Sequence, residues 1–268
     1  MVLKLLTWNI HRGFHNRDHV IENHRLIAAQ EVIRQESPDI VSFVEACYAK
    51  PNSKNIVLDY PELFSFPNYF AAAYPKFGKF SDDIGANCLL SHYPISAARV
   101  NLGRKSAIRA QVSLDNKLLH LDVVHPSPSI NDKEKICDLD PMLLARSDSD
   151  YIMTGDFNSL SPNDLYDKQV LIEELSRFSD DPVKYADSML EYRLVNHILS
   201  SGLFDALPEN RRTSTVPTRS KYNVPVAGMR VDYFFVSPDV RVLDSYVIKN
   251  NLTEIASDHY PLVMVLEL

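Results

Sequence analysis

The chain is poor in the residues that staple or coat. Cysteine occurs three times in 268 residues, as Cys47, Cys88 and Cys137, far apart and with no CxxC pair. That excludes a disulfide framework and a structural zinc site, and predicts buried reduced thiols. Basic residues are not in excess: 28 Lys and Arg stand against 35 Asp and Glu, a net charge of −7. Proteins that coat nucleic acid by bulk charge are basic, so that class is excluded. A nuclease with a few cations gathered in one groove is not. No run of about 18 apolar residues occurs, so no membrane span is expected. The N-terminal stretch MVLKLLTWNI is too short an apolar run for a signal peptide, which predicts a cytoplasmic protein. Seven glycines and sixteen prolines without a period exclude collagen-like and low-complexity chains. What is there, 45% hydrophobic and 24% charged residues, is the balance of a globular protein. No repeat, linker or charge block divides the chain, so residues 1–268 read as one domain, expected to be a monomer.

The apolar pattern switches between short strands and a few helices. Strands are expected at 3–7, 39–45, 86–91, 107–114, 117–125 and 151–154, and again at 213–218, 230–236, 240–248 and 260–267. Residues 20–36 read as a helix with Ile21, Ile27, Ala28, Val32 and Ile33 on one face, stopped by Ser37-Pro38. Residues 187–200 read as another, striped by Met189, Leu190, Leu194, Val195, Ile198 and Leu199, with Gly202 as its C-terminal cap. Residues 49–84 read as a long connection and 126–149 as a polar stretch interrupted by Pro141.

The buried strands end in polar residues that have no packing reason to be there. Asn9 follows Leu-Leu-Thr-Trp; an Asn at a strand end is also a common turn former. Glu45 follows Ile-Val-Ser-Phe-Val, and Glu is seldom buried unless paired, an exposed strand end being the alternative. In Gly155-Asp156-Phe157-Asn158 the Asp and Asn, two apart on an extended segment, face the same side. One is an anion able to hold a cation or orient a water; the other is a neutral group able to hold a phosphate oxygen. An Asx turn is the plain alternative. Asp232 opens the aromatic run Tyr-Phe-Phe and needs a partner, because an unpaired buried carboxylate costs several kcal/mol. Asp258 and His259 set an acid beside an imidazole, or else a cap beside a surface histidine. His125 closes Leu-His-Leu-Asp-Val-Val, where a lone histidine is as a rule structural. Taken in order, each beside an apolar run, these residues fit one cleft built at strand ends.

The segments TWNIHRG (7–13), DIVSFVE (39–45), GANCLLSHYPI (85–95), VVHPSP (123–128), TGDFNS (154–159), MRVDYFFVS (229–237) and SDHYPL (257–262) carry a family likeness. Together the chain resembles the endonuclease/exonuclease/phosphatase superfamily over nearly its whole length. The resemblance implies a four-layer α/β sandwich: two mixed β-sheets packed face to face, with helices outside. It also implies a phosphohydrolase using Mg²⁺ or Mn²⁺. Carried over by motif, Glu45 is the main metal ligand, Asn9 lies beside it, and Asp258 matches a residue near the metal. Asp156 matches the residue that orients or deprotonates the attacking water, and Asn158 a phosphate-site residue. His259 is implied to contact the scissile phosphate with Asp232 as its partner, and His125 to be a second histidine on the phosphate side. The chain departs from the family pattern in having Val44 before the metal Glu and Val124-His125-Pro126 for the usual Thr-His-Leu. Met229-Arg230-Val231-Asp232 stands where inositol 5-phosphatases carry Pro-x-Trp-x-Asp-Arg, and it is nearer the abasic-endonuclease form without its Trp.

Phosphoester hydrolysis needs a positioned water, charge stabilisation and help for the leaving oxygen. Mg²⁺ prefers oxygen ligands and keeps several waters, so one or two carboxylates and an amide suffice. The expected function is a metal-dependent phosphodiesterase, nuclease-like, with DNA or RNA as substrate. A lipid or inositol/sugar phosphate hydrolase of the same superfamily is the alternative, and a non-catalytic binding protein of this fold the third reading. No Lys/Arg-rich DNA-binding insertion is evident.

Overall fold

Alternating apolar side chains along the strands build two sheets around one shared core. The computed structural model describes residues 1–16, 18, 20–47, 59–74, 85–115, 117–147, 149–176, 179–218 and 228–268. In chain order the elements are β1 (Val2–Asn9), α1 (Asn23–Glu36), β2 (Ile40–Cys47), α2 (Tyr60–Phe64), β3 (Asn68–Ala73), β4 (Gly85–Ser91), β5 (Ile95–Leu102), β6 (Lys105–Leu114) and β7 (Lys117–Val124). There follow α3 (Asp132–Leu144), β8 (Tyr151–Asp156), α4 (Lys168–Leu175), α5 (Pro182–Met189), α6 (Arg193–Ser200), β9 (Phe204–Asp205), β10 (Asp232–Val236), β11 (Arg241–Val247), α7 (Asn251–Ala256) and β12 (Leu262–Glu267). Among the described residues the strands form two six-stranded mixed sheets, ordered β11-β12-β1-β2-β4-β3 and β5-β6-β7-β8-β10-β9. β1–β2 and β7–β8 are parallel pairs, and the other pairs are antiparallel.

The core between the sheets takes every second side chain of each inner strand. Leu3 and Leu5 of β1, Leu262, Met264 and Leu266 of β12, Leu119, Leu121 and Val123 of β7, and Phe234 and Val236 of β10 meet there. The opposite parity faces helices. Leu6, Trp8, Val41 and Phe43 pack on Leu26, Ala29, Val32 and Ile33 of α1 and Ala256 of α7. Tyr151, Met153, Tyr233 and Phe235 pack on Leu139, Met142 and Leu143 of α3 and Leu194, Val195 and Ile198 of α6. The layers are helix, sheet, sheet, helix, the sandwich that the motifs imply. No described helix is long and apolar enough to cross a membrane.

The local readings fail where tertiary contacts intervene. Residues 126–149 contain α3, opened by a capping box between Asn131 and Glu134 and continued through Pro141, because its apolar face docks on the second sheet. The expected helix at 187–200 is broken: α5 ends at Met189, Tyr192 turns left-handed (φ 52), and α6 begins at Arg193. Residues 213–218 form no strand; Val216 makes an isolated bridge to Met229, and Thr215 Oγ1 accepts from the N–H groups of Val231 and Asp232. The expected connection at 49–84 holds α2 and β3 in its described part, while 48–58 and 75–84 lie outside the described residues.

Candidate active site

The period of two that builds the inter-sheet core also aims the polar residues. After Leu3 and Leu5, the same face of β1 presents Thr7 and Asn9; after Leu119, Leu121 and Val123 comes His125. On β8, Ile152 is followed by Thr154 and Asp156, and on β10 Phe234 and Val236 are preceded by Asp232. Asn9, His125, Asp156 and Asp232 are each at most 2% exposed, so the core ends in a polar cluster. Gly155 lets β8 approach β7: at φ +133, an added Cβ would lie 2.0 Å from Val124 O.

Asp232 and Asp156 are direct cross-strand partners. Like charges in that position repel, and His259 is placed to compensate. Its Nδ1 lies 2.8 Å from Asp232 Oδ2 and its Nε2 3.9 Å from Asp156 Oδ2. Burial disfavours the charged ring, but the carboxylate of Asp232, reinforced by Asp156 and Asp258, prevails and raises the His259 pKa to about 10. Burial first, and the Asp232 charge second, push the Asp156 carboxyl up to about 7. His259 and two hydrogen bonds act the other way: Asn158 N–H donates to Oδ1 (2.8 Å) and Asn9 Nδ2 to Oδ2 (3.0 Å).

His125 lies on the other side of Asp156, its Nε2 3.6 Å from Asp156 Oδ2 and 3.9 Å from Glu45 Oε1. Burial, followed by the charge of Lys105, holds its pKa well below the ordinary value, so the ring is neutral. Its tautomer follows from its neighbours. Asn87 Nδ2 donates to Ser106 O, which leaves Asn87 Oδ1 to accept from the Tyr74 hydroxyl at 2.8 Å. The phenol oxygen then accepts from His125 Nδ1–H at 2.9 Å, and Nε2 carries the lone pair toward the carboxylates.

The first sheet brings the remaining groups on irregular backbone. Glu45 sits at a shift in the β2–β4 register with φ 55, which turns its carboxylate toward water at 29% exposure. Its Oε2 accepts from Arg12 N–H at 3.3 Å. Asn9 Oδ1 accepts from His11 N–H, and Asp258 Oδ2 lies 3.1 Å from His11 Nδ1. Asn158, also left-handed (φ 50), is held from below: the buried Lys135 ammonium donates to Asn158 O (2.5 Å), Ser159 Oγ (3.0 Å) and Asp132 Oδ1 (3.2 Å). All eight expected residues thus line one end of the sandwich, linked directly or through His11.

The Endonuclease/Exonuclease/phosphatase family model matches residues 6–259. The chain belongs to this family. Similar solved structures include an endonuclease/exonuclease/phosphatase from Beutenbergia cavernae, with TM-score 0.71 and 20% identity over 100% of this chain and 72% of that one. An AP endonuclease from Archaeoglobus fulgidus gives 0.65 and 18%, over 99% of this chain and 100% of that one. D. rerio TDP2 complexed with a single-strand DNA product gives 0.62 and 16%, over 100% and 99%. At these identities the likeness is one of fold. No curated protein matches the sequence.

Members of the endonuclease/exonuclease/phosphatase family hydrolyse phosphoester bonds and are generally divalent-metal dependent. The donor set here suits a hard cation. Glu45, Asp156, Asp232 and Asp258 crowd one cleft, and Asp156 is pushed toward its protonated form by burial and then by the neighbouring Asp232 charge. Glu45 lies 3.9 Å from the neutral His125 ring and Asp258 3.1 Å from the partly exposed His11 ring, and both keep part of their surface in water. Asp156, Asp232 and His259 also bring ligand atoms within 4.8 Å of one another, with His259 Nδ1 and Asp232 Oδ2 already joined in a 2.8 Å hydrogen bond. Sequence reasoning missed His11, Tyr74, Asn87, Lys105 and Lys135. Of these, Asn87 and His11 lay inside the quoted motifs; Lys105 and Lys135 sat in stretches with no motif to flag them.

Proposed function

We propose that the chain is a divalent-metal-dependent phosphodiesterase of nuclease type, acting on DNA or RNA, with residues 1–268 working as one catalytic domain. The observation that carries this reading is the His259 imidazolium fixed between Asp232 and Asp156, with the partly exposed Glu45 carboxylate beside His125 on the other side of Asp156.

Glu45, Asp258 and Asn9 are the residues to hold Mg²⁺ or Mn²⁺, which when bound supplies charge neutralisation at the phosphate and at the leaving oxygen. Asp156, with its pKa near 7, is poised to take a proton from the attacking water. Asn9 and the Asn158 N–H orient its two oxygens. His259 directs Nε2–H at a non-bridging phosphate oxygen, where a fixed cation is worth more than in water. Asp232 keeps that ring charged and fixes its rotation. Asn158 Nδ2, which donates to Pro126 O at 3.1 Å, has a second N–H to offer a phosphate oxygen, and His125 Nε2 is available to accept a proton.

The net charge of −7 and the lack of a basic insertion favour, as a second reading, a lipid or sugar phosphate as substrate for the same machinery. Turnover of bis-p-nitrophenyl phosphate, with and without divalent metal, tests the reaction; undiminished activity in excess chelator overturns it. A panel of DNA, RNA, tyrosyl-DNA, sphingomyelin and inositol phosphates then separates the substrates.

A further inference from the structure

We propose that Tyr185 is a substrate-contacting residue of this cleft, stacking the base of the nucleoside next to the scissile phosphate and offering its hydroxyl to that nucleoside's sugar. The inference rests on the phosphodiesterase reading above and names what is gripped beside the phosphate.

The segment between Asn158 and α6 builds a small core of its own. Leu171 and Leu175 of α4, and Ala186 and Met189 of α5, pack on Leu160 and Val231. Tyr185, Tyr192, Val216 and Met229 lie against this core and keep part of their surface in water. The core abuts the reaction site at two points. Leu160 follows Asn158 by two residues, and Val231 precedes Asp232 while its carbonyl accepts from Phe157 N–H at 2.8 Å. A group attached to a phosphate held at Asn158 and His259 has this wall beside it.

Tyr185 stands where the wall meets the phosphate side. Burial raises its pKa, and the charges of Asp156 and then Asp132 add to the rise, so the phenol keeps its proton and lies in the field of both carboxylates. Those carboxylates bracket the turn that carries Asn158. Asp156 Oδ1 accepts from Asn158 N–H, and Asp132 Oδ1 accepts from the Ser159 hydroxyl at 2.7 Å. Among the described residues the Tyr185 hydroxyl has no hydrogen-bond partner.

These features select the occupant. A second phosphate is repelled by the two carboxylates. An acyl chain laid on the wall would strand the hydroxyl without a partner, which is unfavourable. A nucleoside is neutral, presents a planar face to the ring and brings sugar oxygens to the hydroxyl.

Diesters of p-nitrophenyl phosphate carrying a methyl, hexyl or thymidine 5′ group give the test. In the wild-type protein kcat/KM should be highest on the thymidine ester. Tyr185→Ala should lower the ratio of kcat/KM on the thymidine ester to that on the methyl ester by roughly tenfold or more, the scale of losing one base–aromatic stack, chiefly through KM. Tyr185→Phe should keep most of the ratio, because the ring remains. An unchanged ratio in Tyr185→Ala, or a wild-type preference for the hexyl ester equal to that for the thymidine ester, overturns the inference and leaves the phosphodiesterase reading standing. The wild-type comparison does not depend on any variant folding. If no ester is turned over with divalent metal, that reading falls, and saturation-transfer NMR with a thymidine dinucleotide decides the inference alone. Transfer to the base protons that is lost in Tyr185→Ala supports it; no transfer, or transfer that persists in Tyr185→Ala, overturns it.

Discussion

The two walls of the cleft are built differently. The wall from the second sheet carries His125, Asp156 and Asp232 on or at the ends of regular strands, almost wholly buried, with His259 closed over them. The wall from the first sheet carries His11, Glu45 and Asp258 on a left-handed turn, a register shift and the link between α7 and β12, each partly open to water. On the proposed mechanism the difference separates two tasks. Groups that move protons need burial and close charges, since these displace a pKa. Groups that hold a hydrated ion need water and outward-facing lone pairs, and irregular backbone is what turns a strand-end side chain outward.

The largest expected effect contrasts the walls directly. Glu45→Ala should lower turnover on the order of 10³-fold, the scale of losing a main source of transition-state charge stabilisation, with the unfolding midpoint nearly unmoved. Asp232→Ala should also cost about 3–5 kcal/mol of stability, because it strands a buried imidazolium. Chemical denaturation of both variants beside turnover checks this; equal destabilisation would erase the distinction between the walls.

Lys135→Met comes next. Lys135 contacts no reacting atom, but it holds the Asn158 carbonyl. Misplacement of a positioning group costs about 10²-fold, so kcat should fall by that order while the affinity for a divalent metal, proposed for the open wall, stays level. A parallel loss of metal affinity would mean that the walls are not independent.

The smallest effect is in stability against pH, measured by urea unfolding in chelator. A histidine raised from about 6.5 to about 10 binds more protons folded than unfolded between those values. Its contribution is therefore complete below about pH 6.5 and is lost as pH rises through 10. Wild-type stability should decline across that window, and Asp232→Asn should flatten the decline. The same variant should recover part of its lost turnover as pH falls toward the reference histidine pKa of about 6.5, whereas Asp156→Asn should not. A decline that persists unchanged in Asp232→Asn would show that His259 draws its charge from elsewhere.

What the amino-acid order determined alone was what repeats locally. The alternation along β1, β7, β8 and β10 sets which side chains face inward, and a polar residue placed in step with that alternation must end up at the mouth of the core. Asn9, His125, Asp156 and Asp232 were legible for that reason, and the motif order named the family. Tertiary structure decided the rest, because the partners are remote in the chain: Tyr74 meets His125 across 51 residues, Lys135 meets Asn158 across 23, and His259 meets Asp232 across 27. The strand expected at 213–218 gave way because Thr215 serves the Asp232 backbone instead, and the helix expected at 187–200 broke where Tyr192 turned left-handed. No local period encodes the charge of His259, the neutrality of His125 or the pairing of His11 with Asp258. Each depends on how much water is removed and which charge another segment supplies, and both are set only when the sheets close on each other.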